Sequence, residues 1–230
     1  MSTGTVNPDI GSKTSALSRV IFPGDYAAAD EGSYFSAWLG ATANTAVAVT
    51  TQALGTTSPH IIVYNQQPAG GYNIYMRSIK LRITTATTGI TSVYHVGVLT
   101  PTAPTTLGSL MNGPFNVNSA SGTTSRAAVY SGVNVAPTPG ATARIVHTGP
   151  VVGIIPIVLD SWIFAFGEPV NTSAMLQEAV TTTKIVSVAI PPVIIAPQWY
   201  YTFGLWGPSW AASAPSYTQD VTFIERPSGQ

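Results

Sequence analysis

Apolar and polar side chains alternate with a period of two along many short stretches of this chain, as a strand with one buried face requires. The clearest run is Asn73 to Thr85, where Ile79, Leu81 and Ile83 share one face and Lys80, Arg82 and Thr84 the other. In Lys184 to Gly207, Val186, Val188 and Ile190 alternate with Ile185, Ser187 and Ala189. Trp199, Tyr201, Phe203 and Leu205 then alternate with Tyr200, Thr202, Gly204 and Trp206. Proline gives no donor to a ladder, so Pro191, Pro192 and Pro197 mark a corner between these two core strands. Asp160-Ser161 marks a turn between two short strands, and in the second Trp162, Phe164 and Phe166 share a face. Ser92 to Thr100 reads with Tyr94, Val96 and Val98 inward and His95 outward.

Weaker strands are expected at Ala41 to Ser58, with Val47 and Val49 alternating, and at His60 to Tyr64, Arg126 to Val135, Arg144 to Thr148 and Val221 to Arg226. Pro23-Gly24-Asp25, Gly70-Gly71, Thr87-Thr88-Gly89 and Pro137-Thr138-Pro139-Gly140 supply turns. Pro101 to Ser125 reads as a long connection carrying Leu110, Met111 and Phe115, and a loop of that length is usually a contact surface or functional. Pro208 to Gln219 reads as another loop. Only Ser173 to Ala179 suggests a helical turn. The count is eight to ten short strands with turn signals between them, an all-β sandwich or barrel. Its 230 residues with long loops suit a jelly-roll β-sandwich better than an immunoglobulin-like one of about 100 residues. The division expected is an extended N-terminal arm over residues 1–40 and one sandwich over residues 41–230.

Charge changes the picture more than size does. Nine basic and nine acidic residues cancel, and charged residues are 8% of the chain against about 25% in an ordinary domain. A neutral surface offers no footprint for nucleic acid or an anionic membrane, so neither is an expected partner. It also provides little self-repulsion, which favours association with other protein. With 45% hydrophobic residues the chain is too apolar for disorder, and without cysteine it has neither disulfides nor thiolate metal sites. The apolar runs are too short and too interrupted to cross a bilayer, and the N-terminus lacks a signal-peptide core.

The chemistry-bearing residues do not converge in the sequence. His60, His95 and His147 are far apart and none belongs to a metal-binding spacing such as HExxH. His60 and His147 are expected at strand ends, as capping or surface groups. Asp30-Glu31 is an adjacent pair that a strand would point to opposite faces, so it reads as solvated loop. Asp160, Glu168 and Glu178 are available for paired-carboxylate chemistry, yet nothing singles them out. No G-x-S-x-G elbow or phosphate-binding glycine loop is present. No enzyme activity and no cofactor is expected.

Three texts carry a family likeness: Tyr72 to Leu99, Gly153 to Gly167 and Ile190 to Trp206. Together with the composition they resemble jelly-roll structural proteins of tailed-phage virions, in particular head decoration (cement) proteins. The resemblance implies a homotrimer on the capsid surface, made in the host cytoplasm and bound to the major capsid protein. The shell contact is then expected in the Val20 to Leu39 segment, through Ile21, Phe22, Tyr26, Tyr34, Phe35 and Trp38. The alternative is a tail-fibre or glycan-binding module for host attachment, stacking sugars on Trp206, Trp210 and Tyr217.

Overall fold

Each alternating run leaves one apolar face to be hidden, and the protein hides these faces between two sheets. The computed structural model describes residues 24–39, 47–48, 60–85, 93–104, 108–131, 142–151, 158–167, 175–177, 184–206 and 216–227. In chain order these hold helix α1 (Gly24–Asp30) and strands β1 (Tyr34–Trp38), β2 (Val47–Ala48), β3 (Ile61–Asn65), β4 (Tyr72–Thr85) and β5 (Val93–Thr100). Next come β6 (Ser109–Leu110), β7 (Asn112–Asn116), β8 (Ala127–Ser131), β9 (Arg144–Val151) and β10 (Ser161–Phe166). The last are β11 (Met175–Gln177), β12 (Lys184–Ile190), β13 (Ile194–Ile195), β14 (Tyr200–Trp206) and β15 (Ser216–Pro227).

A nine-stranded sheet runs β11-β12-β10-β4-β15-β1-β7, with β13 added beside β4 and β2 beside β15; a six-stranded sheet runs β6-β8-β3-β14-β5-β9. Eight strands form nested antiparallel pairs: β1 with β15, β3 with β14, β4 with β10 and β5 with β9. The chain is therefore an all-β sandwich, as the alternation predicts. Its core is one cluster that includes Ile79, Leu81, Ile83, Phe164, Phe166, Val186, Ile190, Tyr201, Phe203 and Leu205. These are residues that the period-two reading placed on inner faces.

The proline corner does more than join two strands. β12 lies in the nine-stranded sheet and β14 in the six-stranded one, so Pro191 to Pro197 carries the chain across the sandwich. On the way β13 pairs with β4. Asn65 fixes this crossing. Its buried amide donates to the carbonyls of Tyr72 (2.8 Å) and Ile195 (2.9 Å), and its Oδ1 accepts from the Gln67 amide (3.1 Å). Replacing it with leucine leaves the buried Ile195 carbonyl and two part-buried groups without their partner, so Asn65→Leu should cost about 3 kcal/mol in a denaturant titration. A loss below 1 kcal/mol would mean that water takes over these bonds.

Several sequence expectations are corrected. Pro23-Gly24-Asp25 does not simply turn the chain; Gly24 and Asp25 open helix α1, which ends at Asp30. Residues 34–38, expected in the terminal arm, form a strand between β15 and β7, and Phe35, Ala37 and Leu39 are in the core. The Pro101 to Ser125 connection contains β6 and the edge strand β7. The closing strand starts at Ser216, so Ser216 to Gln219 is ladder and not loop, because β15 pairs with β4 along its whole length. Met175–Gln177, inside the expected helical turn, pairs with β12 as strand. The strand expected before Asp160 falls outside the described residues.

β4 has one irregularity that matters for its outer face. Met76 and Ile79 are both buried, which strict alternation forbids, because Thr222 pairs with Ser78 while Phe223 pairs with Met76. Arg77 is the extra residue of this bulge. Its guanidinium meets the Asp25 carboxylate of α1, with Nε and Nη2 each 2.8 Å from an oxygen, and so ties the helix to the sheet.

Candidate functional site

Two regions carry the residues that chemistry or adhesion would use: the outer face of the nine-stranded sheet, and a buried histidine pair in the six-stranded one.

On the outer face, β-strand pairing lines up side chains from six strands in rows. One row runs Phe115, Ser36, Thr222, Ser78, Ala165 and Ala189 across six strands. The next runs Trp38, Asp220, Lys80, Ile163 and Ser187. Lys80, Asp220 and Phe115 are exposed and the rest of these two rows is half-buried; in a third row, Thr218, Arg82, Ser161 and Ile185, the arginine and the isoleucine are exposed. Ser78 and Thr222 bond to each other through their hydroxyls at 2.7 Å. Lys80 and Arg82 do share the exposed side of β4, as the sequence indicates.

One end of this face is capped by α1. There a groove of about 520 Å³ opens between Asp25 and Arg77 on one side and Tyr75, Phe166, Val193, Ile194 and Ile224 on the other. A second groove of about 380 Å³ lies against Glu31, Phe35, Tyr72, Thr123, Glu225 and Arg226. Glu225 is already occupied there. Ser125 donates a short hydrogen bond to its carboxylate, and burial pushes its carboxyl upward against the hydrogen bonds from Ser125, Ala127, Arg126 and Gln67. Arg226 pairs with Glu31 at 3.5 Å.

The candidate shell-contact residues divide. Tyr26, on α1, is 68% exposed. Tyr34 and Trp38 are half-buried on the outer face, with Trp38 stacked on Phe115 at 4.9 Å. Phe35 is 1% exposed and stacks on Phe223 inside the core, so it cannot touch a partner. Ile21 and Phe22 lie outside the described residues. Of the candidate sugar-stacking residues, Tyr217 is fully buried beside His60, because β15 already runs through the core there. Trp206 is half-buried and lies flat on its cross-strand neighbour Tyr94 at 4.6 Å. Trp210 lies outside the described residues.

The histidines depart furthest from expectation. All three are buried: His60 at 3% exposure, His95 at 5% and His147 at 7%. His95 and His147 are also in contact, their Nδ1 atoms 3.1 Å apart, and Tyr201 Oη lies 2.7 Å from His147 Nε2. The tyrosine hydroxyl has no other acceptor among the described residues. Tyr201, His147 and His95 thus form one chain of hydrogen bonds, and the His147 tautomer sets its direction: with the tyrosine hydroxyl donating to Nε2, the His147 proton sits on Nδ1, toward His95. Phe164, Phe166 and Phe203 pack around the pair. Burial holds His95 down at about 4; burial and the neighbouring His95 hold His147 at about 3. His60 is held at about 3 by burial, and its Nδ1 accepts from the Leu205 amide at 2.7 Å. All three are neutral at pH 7.

The pair rests on a reciprocal motif. His95-Val96-Gly97 on β5 lies antiparallel to His147-Thr148-Gly149 on β9, so His95 faces Gly149 and Gly97 faces His147. Each imidazole lies over the glycine of the other strand. A Cβ on Gly97 would stand 2.0 Å from His147 Nε2, and one on Gly149 3.0 Å from His95 Nε2. The two H-x-G tripeptides were visible in the sequence, and their matched spacing was the signal that sequence reasoning missed. No group of three or more His, Cys, Asp or Glu able to hold a metal occurs among the described residues. The arrangement suits a polar tie between two strands of a sealed core.

Comparison with protein-family models, with curated proteins and with solved structures found no match. No helix among the described residues is long and apolar enough to cross a membrane.

Proposed function

We propose that this chain is a structural adhesion subunit, a jelly-roll sandwich that associates with its own copies and cements a larger shell, of the kind that decorates phage capsids. The observation that carries this reading is the wide, half-exposed outer face of the nine-stranded sheet, on a chain with 8% charged residues. Sheets whose outer faces meet only water usually carry a polar alternation on that side. Here Trp38, Phe115, Ile163, Ala165, Ile185 and Ala189 stand where Lys and Glu would serve solubility. The nested pairing supports the jelly-roll assignment. First strand pairs with last, second with seventh, third with sixth and fourth with fifth, as in a single long hairpin rolled into two sheets.

Adhesion needs no reactive group, and many weak contacts on a repeating shell add up to firm attachment. The test is the state of the purified protein. Light scattering at micromolar concentration should give a mass above the 24.0 kDa of one chain. A strictly monomeric protein that binds saccharides on an array would move the function to host attachment. Deleting Met1 to Ser18 should lower occupancy on particles; unchanged occupancy would remove the arm from the shell contact.

A further inference from the structure

We propose that the outer face of the nine-stranded sheet is a two-fold contact between copies of this chain, centred on Lys80 and Asp220. The inference rests on the self-association reading above and names the surface that performs it.

Lys80 and Asp220 are register partners on neighbouring central strands, β4 and β15. Both side chains are exposed on the outer face. Among the described residues the ion pairs are Arg77 with Asp25 and Arg226 with Glu31, so Lys80 and Asp220 do not close a direct pair with each other. They sense each other only at longer range: Lys80 lowers the Asp220 carboxyl while burial raises it by more. The rows on either side of the two charges consist of Ser, Thr, Ala, Phe and Ile apart from one further exposed cation, Arg82, which stands in register with Thr218 on β15, and Phe115 and Ile185 are exposed toward the edges.

One cation beside one anion, at the centre of a face whose one other exposed charge in these rows is Arg82, is self-complementary. A two-fold axis passing between them sets each Lys80 against the partner's Asp220, as an isologous contact demands. A polyanion would meet Asp220, and a polycation would meet Lys80, so neither suits this face as well as a second copy does. The extent is sufficient. The three rows through Ser78, Lys80 and Arg82 hold six, five and four positions, and at the ordinary spacings of about 4.8 Å between strands and about 6.8 Å between rows they give a footprint of roughly 500 Å² per copy. Counting both copies, that reaches the lower range of specific interfaces, about 1,000 Å². Packing of two sheets face to face at about 10 Å then buries the rows of small side chains without displacing any strand.

Charge exchange tests the contact. Lys80→Asp leaves two acids at the centre of each face, and Asp220→Lys leaves two bases. Each variant alone should associate about 100-fold more weakly than the wild type, since like charges would now face each other. A one-to-one mixture of the two variants should recover the wild-type mass by sedimentation velocity, as a heterodimer. Ile163→Arg, on the same row, should weaken association without touching either charge, and circular dichroism checks that every variant is folded. If the wild type associates and both charge variants associate equally well, or their mixture stays monomeric, this contact is wrong while self-association stands. If the wild type is monomeric at every concentration, both readings fall.

Discussion

Lowering the pH from 7 to 5 should remove a large part of this protein's folding stability, through His60, His95 and His147. Their folded pKa values, about 3, 4 and 3, lie below the ordinary 6.5, so the native state holds all three neutral. The unfolded chain binds protons below pH 6.5 and the native state does not. Stability is therefore complete above that value and falls as the pH drops toward 4. By linkage each histidine withdraws roughly 1.5 to 2 kcal/mol by pH 5, about 5 kcal/mol for the three. A domain is commonly stable by about 5 to 15 kcal/mol, so this is a loss that unfolds marginal proteins. Asp220 and Glu225 act in the opposite sense. Burial raises both carboxyls, so the native state takes up protons more readily there, and acid returns part of the loss. Guanidinium titrations at pH 7, 6 and 5, followed by tryptophan fluorescence, should show the midpoint falling at constant slope. A midpoint that does not move across that range would sink the buried, neutral assignment of the histidines. Imidazole resonances that titrate near 6.5 would do the same.

The second large effect is expected from a single methyl group. Gly97→Ala places a Cβ 2.0 Å from His147 Nε2, the atom hydrogen-bonded to Tyr201. The ring has no free side to move toward, with His95, Phe166 and Phe203 around it. Overpacking of a closed core and two broken buried hydrogen bonds together should cost about 4 kcal/mol. Gly149→Ala, where the nearest ring atom is at 3.0 Å, should cost about 1 kcal/mol. Gly204→Ala, which meets only Val96 Cγ1 at 3.4 Å, should stay within about 0.5 kcal/mol of the wild type. The order of the three variants in thermal melts is the check. If Gly97→Ala melts with Gly204→Ala, then the histidines are not seated over their opposing glycines.

The inward faces that the alternation identified best are those where one face is plainly richer in large apolar groups. Trp162, Phe164 and Phe166 alternate with Ser161, Ile163 and Ala165, and the larger set is the buried one. β5 went the other way. Tyr94, Val96 and Val98 look more apolar than Val93, His95 and Gly97, yet His95 and Gly97 face the core and Tyr94 and Val96 do not. The reason is packing: Gly97 and Gly149 leave room for an imidazole each, and a buried imidazole with partners satisfies the core as well as an aliphatic residue does. Phe35 followed the same rule. Tyr34, Phe35, Ser36, Ala37 and Trp38 have aromatics on both faces, and the insertion of β1 between β15 and β7 decided which of them was enclosed.

By itself the sequence determined that this protein is a sandwich of short strands and that it carries little charge. Those properties are local, since side-chain direction in a strand depends only on the parity of position. Which strands lie together was decided by the tertiary structure alone. His95 meets His147 across 52 residues, and Lys80 stands beside Asp220 because β4 and β15 pair at one particular register. Period-two alternation fixes the face a residue takes but not the neighbour it meets there. The neighbour follows from nested pairing, in which the entropy of closing a long loop rises slowly with its length and burial of the whole core selects the partner.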